Sequence, residues 1–394
     1  MSKIVKNKNS QFIVMEKVII IGGGAAGIYS ALYLLSKVPC VSIEIIEKES
    51  KLGKKLRATG NGHANILNAV LNEENYNTSN RKYFDILSNF NVSDCLDQLL
   101  KWGVPTTKVG NLYYPLSFNA PSFVNEITKK LIDRGVKVSL DTKVLGYHHE
   151  EDKIIVETSS GNRECDDLII TTGGTSSPKL GSDGSLFGIL KDKGYKLSSL
   201  ESGLTPIRTK ERIIKPLVGV RHKALVTLTD GYGPVLYSEN GEYLYKKDGL
   251  SGICIMNISS KIKWLGVRRP LIHIDLFPNK DVHEYVSENH ENEAVLESSL
   301  YSEVLYQSKA RGISFNEALH DLVYSYVDGY GFEDSQVTIG GICEASVNSD
   351  LSSTIEKHVY FAGEILNFDG LCGGFNLTWA LVSAMVVARS LGAN

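Results

Sequence analysis

The sequence has few cysteines, and their spacing is not that of a metal or redox site. The 394 residues include six cysteines, which are scattered along the whole chain. No C-x-x-C pair occurs, whereas zinc sites and thiol redox motifs use such pairs. Scattered thiols of this kind are typical of a reducing compartment. We therefore expect a cytoplasmic protein that binds no metal.

Long apolar runs are also missing. Glycines, Glu44 or Arg389 interrupt the most hydrophobic segments before they reach the ~18 apolar residues that a membrane-spanning helix needs. The first fifteen residues carry three lysines and an apolar run of only four residues, which is too short for a signal peptide. We therefore expect no membrane partner and a disordered lead over residues 1–15, with Met15 as a second candidate start.

The charge balance lacks an excess of either sign. Lys plus Arg number 42 against 45 for Asp plus Glu, which gives a net charge of −3. Binding to a phosphate backbone requires a strongly basic surface, so we expect no nucleic-acid partner. The hydrophobic content of 42% and the charged content of 22% are those of an ordinary globular protein. At roughly 150 residues per domain, the length favours two or three domains.

Glycine is the residue type in excess, and its first cluster belongs to a β-α-β unit. The 36 glycines exceed the typical share of ~7%. The pattern Gly22-x-Gly24-x-x-Gly27 follows a short β-branched apolar run and precedes a segment with helical spacing that ends before Pro39. A second apolar run ends at Glu47. The order of these elements predicts a strand, a helix and a second, parallel strand.

Each element of this unit has a function in binding a dinucleotide. Gly22 permits the tight turn, Gly24 allows the backbone to approach a pyrophosphate, and Gly27 allows close packing of the helix on the strand. The helix N-terminus, which includes Ala25 and Ala26, presents free N–H groups and a partial positive charge. The glutamate that ends the second strand would accept hydrogen bonds from ribose hydroxyls. The alternatives are a structural glycine turn and a solvated carboxylate at a strand end.

The rest of the chain predicts a first domain that is interrupted by an insert. Helical spacing occurs at 83–103, 121–134 and 376–391, and strand-like runs occur at 136–174, 337–341 and 358–364. From 197 to 277 short strands alternate with glycine-rich turns and helix signals nearly vanish, which favours an all-β insert. We predict a first domain at 16–195 completed by 336–394, a β-rich insert domain at 196–278 and a small helical subdomain at 279–335.

Five longer segments resemble a known family. They are KLGKKLRATGNGHANILN at 51–68, GNLYYPLSFNAPSFV at 110–124, TTGGTSSPKLGSDG at 171–184, EYLYKKDGLSGICIMNIS at 242–259, and residues 337–380. On these segments the chain resembles the HI0933-like flavoproteins, which include BaiN-like and aminoacetone oxidase-like enzymes. The resemblance implies an α/β protein with a Rossmann-like FAD-binding domain, interrupted by a β-barrel-like insert and a small helical subdomain. This agrees with the organisation predicted from the residues alone.

The resemblance also implies which residues hold FAD, in addition to the glycine motif and Glu47. Val144 would meet the adenine, Thr172, Gly173 and Gly174 would lie near the pyrophosphate, and Gly363 and Glu364 would meet the ribityl chain. Gly373, Gly374, Phe375 and Asn376 would face the isoalloxazine. The segment after the second strand is of the kind that wraps a longer cofactor, and its candidates are Lys48, Lys55, Thr59, Gly60 and Asn65. Backbone N–H groups at the start of the final helix can stabilise negative charge on the flavin pyrimidine.

The sequence departs from the family at two places. Where many relatives carry an Arg-Cys pair before Asn, this chain has His63-Ala64-Asn65, so no thiol acts there. His63 and Tyr114 are the candidate catalytic residues, and His63 is also a candidate covalent tether of the flavin. The alternatives are a polar loop contact for His63 and an aromatic packing contact for Tyr114. The segment from Lys246 to Ile253 differs from the usual Thr-x-x-Gly-Leu-Ser-Gly-Pro, so a relative's substrate does not carry over.

The sequence therefore predicts a FAD-dependent oxidoreductase that transfers a hydride between a small organic substrate and non-covalently bound flavin. Either O2 or NAD(P)H is the second partner. Because no second G-x-G-x-x-G follows a strand, NAD(P)H would dock transiently. An amine oxidase and a reductase of an enone-like substrate both remain open. The alternatives from other classes are a flavoprotein that modifies RNA and a non-catalytic flavin-binding protein, and the sequence does not indicate an oligomeric state.

Overall fold

The computed structural model describes residues 16–38 and 40–393, together with 5–6 and 12–13. Contacts divide the chain into a first unit, which runs up to Glu201 and resumes at Val337, and a second unit over Ser202–Gln336. Residues 5–6 and 12–13 pair as antiparallel strands, which differs from the disorder expected there. The rest of the predicted lead, with Met15, lies outside the described residues. The domain boundaries at 195, 278 and 335 stay predictions.

The elements follow one another in chain order. Up to the boundary with the second unit, the strands are β1 (Val5–Lys6), β2 (Phe12–Ile13), β3 (Lys17–Ile21), β4 (Ser42–Ile46), β5 (Leu67–Asn68), β6 (Thr106–Val109), β7 (Leu112–Pro115), β8 (Lys137–Ser139), β9 (Val144–Glu150), β10 (Lys153–Thr158), β11 (Arg163–Cys165), β12 (Asp167–Ile170) and β13 (Glu201–Gly203). The helices of this part are α1 (Ala25–Lys37), α2 (Arg81–Ser88), α3 (Val92–Lys101), α4 (Ala120–Asp133) and α5 (Ser185–Asp192).

The second unit and the end of the chain contain the remaining elements. In the second unit they are β14 (Ile207–Thr209), β15 (Arg221–Asp230), β16 (Val235–Lys246), β17 (Gly249–Ser251), α6 (Ile253–Trp264), β18 (Pro270–Asp275), α7 (Ser298–Arg311), α8 (Phe315–His320) and β19 (Leu322–Gly329). The first unit is completed by β20 (Val337–Ile339), β21 (Val359–Phe361) and α9 (Phe375–Leu391). Over the described ranges, no helix combines the length and the apolar character needed to cross a membrane.

A five-stranded parallel sheet forms the centre of the first unit. Its strand order is β21-β12-β3-β4-β8, and every neighbouring pair is parallel. Four of the five residues of β3 and of β4 are buried, as expected for strands that are covered on both faces. Helices α1 and α9 pack against each other. The carboxyl ends of β3, β4, β12 and β21 therefore lie along one edge, where α/β sheets bind their ligands.

The second unit contains a closed barrel of six strands in the order β14-β17-β16-β15-β18-β19. Together with the parallel sheet, this barrel confirms the predicted α/β fold with a β-barrel-like insert. Helix α7 lies in the segment predicted to be helical, but β19, in the same segment, is a barrel strand. The expectation that helices are nearly absent between 197 and 277 is wrong, because α6 follows β17. Polar side chains such as Asn257 and Ser260 are buried in α6 beside apolar ones, so the sequence shows no separate apolar face.

Acidic side chains meet at the amino end of the parallel sheet. Burial raises the pKa of Glu16 from its ordinary value of 4.5 to about 7, and a hydrogen bond to Asp167 adds to the rise. The negative charges of Asp167 and Asp166 act in the same direction, whereas His358 opposes them. The folded protein thus holds this proton more tightly than the unfolded chain does. Its contribution to stability is fully present below about pH 4.5 and is lost as the pH rises through about 7.

We expect Glu16→Gln to be more stable than the wild type at pH 8 and nearly equal to it at pH 5. A glutamine cannot ionise, so it avoids placing a further negative charge beside Asp167 at high pH. Urea unfolding of both proteins at the two pH values would measure the difference. Glu151→Gln, in the exposed turn between β9 and β10, is the matched control. If the free energy of unfolding of Glu16→Gln equalled that of the wild type at both pH values, the proposed effect of the Glu16 proton on stability would be wrong.

Candidate cofactor site

The turn after β3 is closed by glycines. Gly22 has a φ of +101°, and a Cβ there would lie 2.7 Å from the carbonyl oxygen of Thr171. A Cβ on Gly27 would lie 2.0 Å from the carbonyl oxygen of Gly22, which is far inside van der Waals contact. A Cβ on Gly24 would meet no described atom within 4 Å. The turn therefore requires Gly22 and Gly27 for its own packing and leaves open space at Gly24, as a dinucleotide motif does.

Helix α1 begins at this turn without a side-chain cap. Its N-cap is Gly24, and within the described residues no side chain bonds to the N-cap position and no acidic residue occupies the first turn. The first N–H groups of a helix, here including those of Ala25 and Ala26, have no intrahelical acceptor, and the helix dipole adds partial positive charge. Such an end binds phosphate groups. A pyrophosphate therefore fits between the open side of Gly24 and the first turn of α1.

Glu47 links the end of β4 to the glycine turn. Its Oε2 accepts a hydrogen bond from the Gly23 N–H at 2.6 Å, and its Oε1 accepts one from the Glu49 N–H at 2.8 Å. Burial raises the pKa of Glu47, although these two backbone bonds act in the opposite direction. Each carboxylate oxygen has two lone pairs, so acceptor capacity remains for ribose hydroxyls. Glu47 thus shapes the turn and can also bind a nucleoside.

We expect Glu47→Ala to weaken FAD binding at least tenfold. The variant loses the bond to Gly23 and the acceptors for the ribose, and hydrogen bonds to a charged group contribute about 1.5–3 kcal/mol each. A loss of ~1.4 kcal/mol already lowers affinity tenfold. Titration of the apo-protein with FAD would measure the change. Glu49→Ala is the matched control, since the Glu49 side chain pairs with Lys54 instead. If Glu47→Ala bound FAD with unchanged affinity, the Glu47 carboxylate would be a charge at the strand end that does not contribute to FAD binding.

The loop after β12 packs on the glycine turn. The hydroxyl of Thr171 donates to the carbonyl oxygen of Gly22 at 2.8 Å. Gly173 has a φ of +71°, and a Cβ on Gly174 would lie 2.2 Å from Thr338 Oγ1. The close approaches explain why this loop carries two successive glycines. The structure therefore brings the predicted pyrophosphate residues that follow β12 next to those that follow β3.

Three further predicted residues lie around this region. The Cα of Thr172 would be 3.1 Å from a Cβ on Gly22. Lys48 forms an ion pair with Asp183, with 2.6 Å between Nζ and Oδ2. Burial disfavours the charged form of Asp183, but the bonds from Lys48 and Ser185 outweigh it and lower its pKa. Val144 is the buried first residue of β9, and its contact with adenine stays a prediction.

The end of β21 rests on the start of α1. Gly363 has a φ of +79°, and a Cβ there would lie 2.6 Å from the Cβ of Ala26. The next residue, Glu364, pairs with Lys55, with 2.9 Å between Oε2 and Nζ. Its Oε1 accepts from the Thr338 N–H at 2.8 Å. Lys55 and Glu364, two predicted cofactor residues from distant parts of the chain, thus neutralise each other. The contact of Gly363 and Glu364 with the ribityl chain stays a prediction.

The segment that follows β4 reaches the start of α9. It contains 3-10 turns within Leu56–Gly62 that non-helical backbone at residues 59–61 interrupts, and Thr59 Oγ1 donates to the Leu56 carbonyl oxygen at 2.7 Å. Gly60 has a φ of +57°, and a Cβ there would lie 3.2 Å from the N atom of Asn65. The carbonyl oxygen of Asn65 would in turn lie 3.1 Å from a Cβ on Gly374. The predicted wrapping loop and the predicted isoalloxazine turn are therefore in contact.

Side chains of the turn before α9 and of segments packed against it stabilise this turn. Asn376 accepts from the Gly370 N–H at 2.9 Å and donates to the Gly370 carbonyl oxygen at 2.8 Å. Phe375 is buried and packs edge-on against Tyr76. Asn68 donates to the carbonyl oxygen of Gly373 at 2.7 Å. Because the side chains of Phe375 and Asn376 serve the turn, the backbone is the part that we expect to face the flavin.

The two candidate catalytic residues meet at Phe118. His63 is exposed, and its Nδ1 lies 2.8 Å from the carbonyl oxygen of Phe118. The ring of Tyr114, on β7, lies 5.3 Å from the Phe118 ring. Burial raises the pKa of Tyr114. The structure thus places both candidates in one cluster at the edge of the wrapping loop.

Sequence reasoning missed several residues of this region. Thr171, Thr338 and Phe118 were not singled out, although Thr171 directly precedes the glycines that were. The signals that could reveal Thr338 and Phe118 are long-range contacts, which local patterns do not contain. In the described part of the chain no group of His, Cys, Asp and Glu side chains could hold a metal ion.

The fold is that of a Rossmann-type, flavin-dependent oxidoreductase, and the candidate site lies at the carboxyl ends of the parallel strands, where such folds bind their cofactors. The family model for the HI0933-like protein Rossmann domain matches residues 16–390. The chain belongs to this HI0933-like family.

Curated relatives match along nearly their whole length. A 3-dehydro-bile acid delta(4,6)-reductase of Clostridium scindens is 26% identical, over 95% of this chain and 99% of the relative. A ribosomal RNA dihydrouridine synthase of Haemophilus influenzae is 24% identical, over 95% and 98%. A protein of the same name from Escherichia coli is 25% identical, over 95% and 97%.

Solved structures show the same fold at low sequence identity. A 3-ketosteroid delta1-dehydrogenase of Sterolibacterium denitrificans has a TM-score of 0.51 at 10% identity, over 96% of this chain and all of that chain. The open conformation of a flavocytochrome c3 fumarate reductase has a TM-score of 0.50 at 14% identity, over 96% and 78%. These likenesses concern the fold alone.

Proposed function

We propose that this enzyme uses non-covalently bound FAD to reduce a carbon–carbon double bond conjugated to a carbonyl group in a small organic substrate, with NAD(P)H as the electron donor. The observation that carries the FAD part of the proposal is the set of close glycine contacts at Gly22, Gly363 and Gly374, together with the open space at Gly24. These contacts bring together the segments that we expect to hold an extended dinucleotide, from the adenosine end at Glu47 to the flavin end at α9. A mononucleotide would need only one end.

The names of the relatives support the type of reaction. A delta(4,6)-reductase of a 3-dehydro bile acid saturates double bonds conjugated to a ketone. A dihydrouridine synthase saturates the ring double bond of uridine, which is conjugated to a carbonyl. The common step adds a hydride and a proton to an activated double bond. Of the two activities that the sequence left open, the enone reductase is therefore favoured over the amine oxidase.

The residues of the chain divide the work of binding. FAD, when bound, supplies the two-electron chemistry. The first turn of α1 would bind its pyrophosphate, Glu47 would orient its ribose, and the N–H groups at Gly374 and the start of α9 would stabilise negative charge on the pyrimidine. Because the sequence contains one dinucleotide motif, NAD(P)H has to dock transiently where the flavin is accessible. O2 is the alternative second partner.

A second candidate function is the reduction of uridine in RNA. Two of the relatives reported above carry the name of ribosomal RNA dihydrouridine synthases. The net charge of −3 opposes this candidate, since RNA binding draws most of its affinity from positive charge near phosphates. An RNA substrate nevertheless belongs in any test of the enzyme.

The purified protein should be yellow and should release FAD, rather than FMN or NAD, on heating. In the absence of O2 it should then oxidise NADH or NADPH when cyclohex-2-en-1-one is added, and not when a primary amine or a ribosomal RNA transcript is added. Turnover on the transcript alone would favour the RNA candidate. Rapid reoxidation by air without enone turnover would favour an oxidase. Flavin that remains attached to a His63 peptide in mass spectrometry would overturn the non-covalent part.

A further inference from the structure

The imidazole of His63 is held by one ring nitrogen and exposed at the other. Its Nδ1 lies 2.8 Å from the carbonyl oxygen of Phe118. A carbonyl oxygen only accepts hydrogen bonds, so Nδ1 carries a proton whether the ring is neutral or charged. Among the described residues no group bonds to Nε2, and no acidic side chain pairs with the ring. The Nε2 atom is therefore the one that can gain and lose a proton without breaking the contact that orients the ring.

The backbone on both sides of this contact is strained. Phe118 has a φ of +46°, a left-handed conformation that is an outlier for a bulky residue. Ala64, which follows His63, has a φ of +56°. The Phe118 N–H also bonds to the Pro115 carbonyl oxygen at 2.9 Å, which fixes the turn that presents the Phe118 carbonyl. Strain of this kind persists where the surrounding structure imposes it, and it is concentrated at functional sites.

His63 lies close to the turn that we expect to face the flavin. Two residues along the chain, the carbonyl oxygen of Asn65 would lie 3.1 Å from a Cβ on Gly374. The strand that follows, β5, pairs with β7 through Leu67 and Tyr113. The wrapping loop thus contacts the turn before α9 and, through β5, pairs with the strand that carries Tyr114. His63 lies two residues from the contact with Gly374, next to the turn predicted to face the isoalloxazine.

We propose that His63 is the catalytic proton donor of the enzyme, with Nε2 as the donating atom and the Phe118 carbonyl as the positioning group. The proposal rests on the proposed enone reduction. Saturating the double bond adds one hydride, which carries the two electrons that NAD(P)H provides through the flavin, and one proton. The Nε2–H bond of the imidazolium breaks as the new C–H bond forms at the carbon next to the carbonyl. The neutral ring keeps its Nδ1 proton, which it donates to the Phe118 carbonyl oxygen in a hydrogen bond. Nε2 then regains its proton from water.

Tyr114 is the other candidate for this proton, and its surroundings favour a different role. Burial raises its pKa, so its hydroxyl resists the loss of a proton that a donor must undergo. Its ring instead lies beside Phe118, which is 39% exposed, and near Leu116 in sequence, which is 58% exposed. The rings of Phe118 and Tyr114 offer an apolar surface beside His63. An apolar ring that carries an enone would rest there with its carbonyl end toward the histidine.

The matched variants are His63→Asn and His290→Asn. An asparagine amide can keep the hydrogen bond to the Phe118 carbonyl, but it cannot donate a proton from the position of Nε2. We expect His63→Asn to lower kcat for cyclohex-2-en-1-one reduction about 100-fold or more and to change the pH profile of kcat. FAD affinity and the rate of flavin reduction by NADH should stay within a factor of three. His290→Asn, in an exposed segment of the second unit, should match the wild type in every measurement.

Two further measurements separate proton donation from a structural role. Imidazole in the buffer should restore part of the activity of His63→Ala, because it can replace the missing proton donor. It would not restore activity if the variant had only lost packing. Nitrogen-15 NMR of the FAD-loaded wild type should show the neutral ring of His63 as the Nδ1–H tautomer, independently of turnover. An Nε2–H tautomer, or an active His63→Asn with the wild-type pH profile, would overturn the proposal. A wild type that is inactive on the enone would instead overturn the proposed function.

Discussion

Gly27→Ala is expected to purify without FAD, whereas Gly24→Ala is expected to fold like the wild type and to bind FAD weakly. At Gly27 the added Cβ would lie 2.0 Å from the carbonyl oxygen of Gly22 and 2.8 Å from Thr171 Oγ1. Backbone cannot move away from such an overlap without separating α1 from β3. Overpacking of this kind costs ~1–3 kcal/mol and occasionally more, so this variant should lose both stability and cofactor.

The Gly24→Ala variant tests cofactor binding separately from the stability of the fold. Its φ of −77° and ψ of −168° suit any residue, and a Cβ there meets no described atom within 4 Å. The melting temperature of apo Gly24→Ala should therefore equal that of the apo wild type. The methyl group does occupy the space that the pyrophosphate needs, so FAD affinity should fall at least tenfold in a fluorescence titration. Wild-type affinity would mean that the pyrophosphate does not approach the backbone at Gly24.

Gly374→Val is expected to lower the reduction potential of the flavin or to expel the cofactor. Gly374 has a φ of +80°, and a Cβ would lie 3.1 Å from the Asn65 carbonyl oxygen. A branched side chain would therefore push the start of α9 away from the wrapping loop. Loss of one hydrogen bond to a charged group removes about 1.5–3 kcal/mol, which for two electrons corresponds to a fall of roughly 30–60 mV.

Two control variants distinguish this effect from backbone strain. Gly135→Val adds the same side chain at a φ of +84°, at a turn where a Cβ meets no described atom within 4 Å. Lys246→Arg is a conservative change on β16. Neither should alter FAD affinity or potential, which dye equilibration under anaerobic conditions would measure. If Gly374→Val kept the wild-type affinity, potential and sulfite reactivity, the assignment of α9 to the flavin would be wrong.

The first β-α-β unit could be predicted from the sequence because its signals are local. An apolar run, a glycine motif and an acidic strand end lie within about thirty residues, and each reflects the packing of neighbours in the chain. Helix α6 could not be predicted in this way. Its buried Asn257 and Ser260 remove the apolar period that normally reveals a helix.

The residues of the candidate site could be predicted from the sequence more readily than the contacts between them. The glycines carry a local signature, since positive φ and close approach leave few other residues possible. The ion pair of Lys55 with Glu364 and the bond from His63 to Phe118 join segments that are distant in the chain. Such pairs follow from the assembled sheet and its loops, which a single sequence does not encode in any local pattern. The contacts of these residues with FAD stay predictions.

The place of β21 in the sheet has a consequence for synthesis on the ribosome. Strand β12 pairs with β3 on one side and with β21 on the other, yet the whole second unit is translated between β12 and β21. At roughly 5–20 residues per second, β21 appears on the order of ten seconds or more after β12. During that interval the outer edge of β12 is unpaired, and the face of α1 that α9 covers is bare. An unpaired edge strand is a template for aggregation, so we expect the nascent chain to be most prone to aggregation before β21 and α9 have emerged.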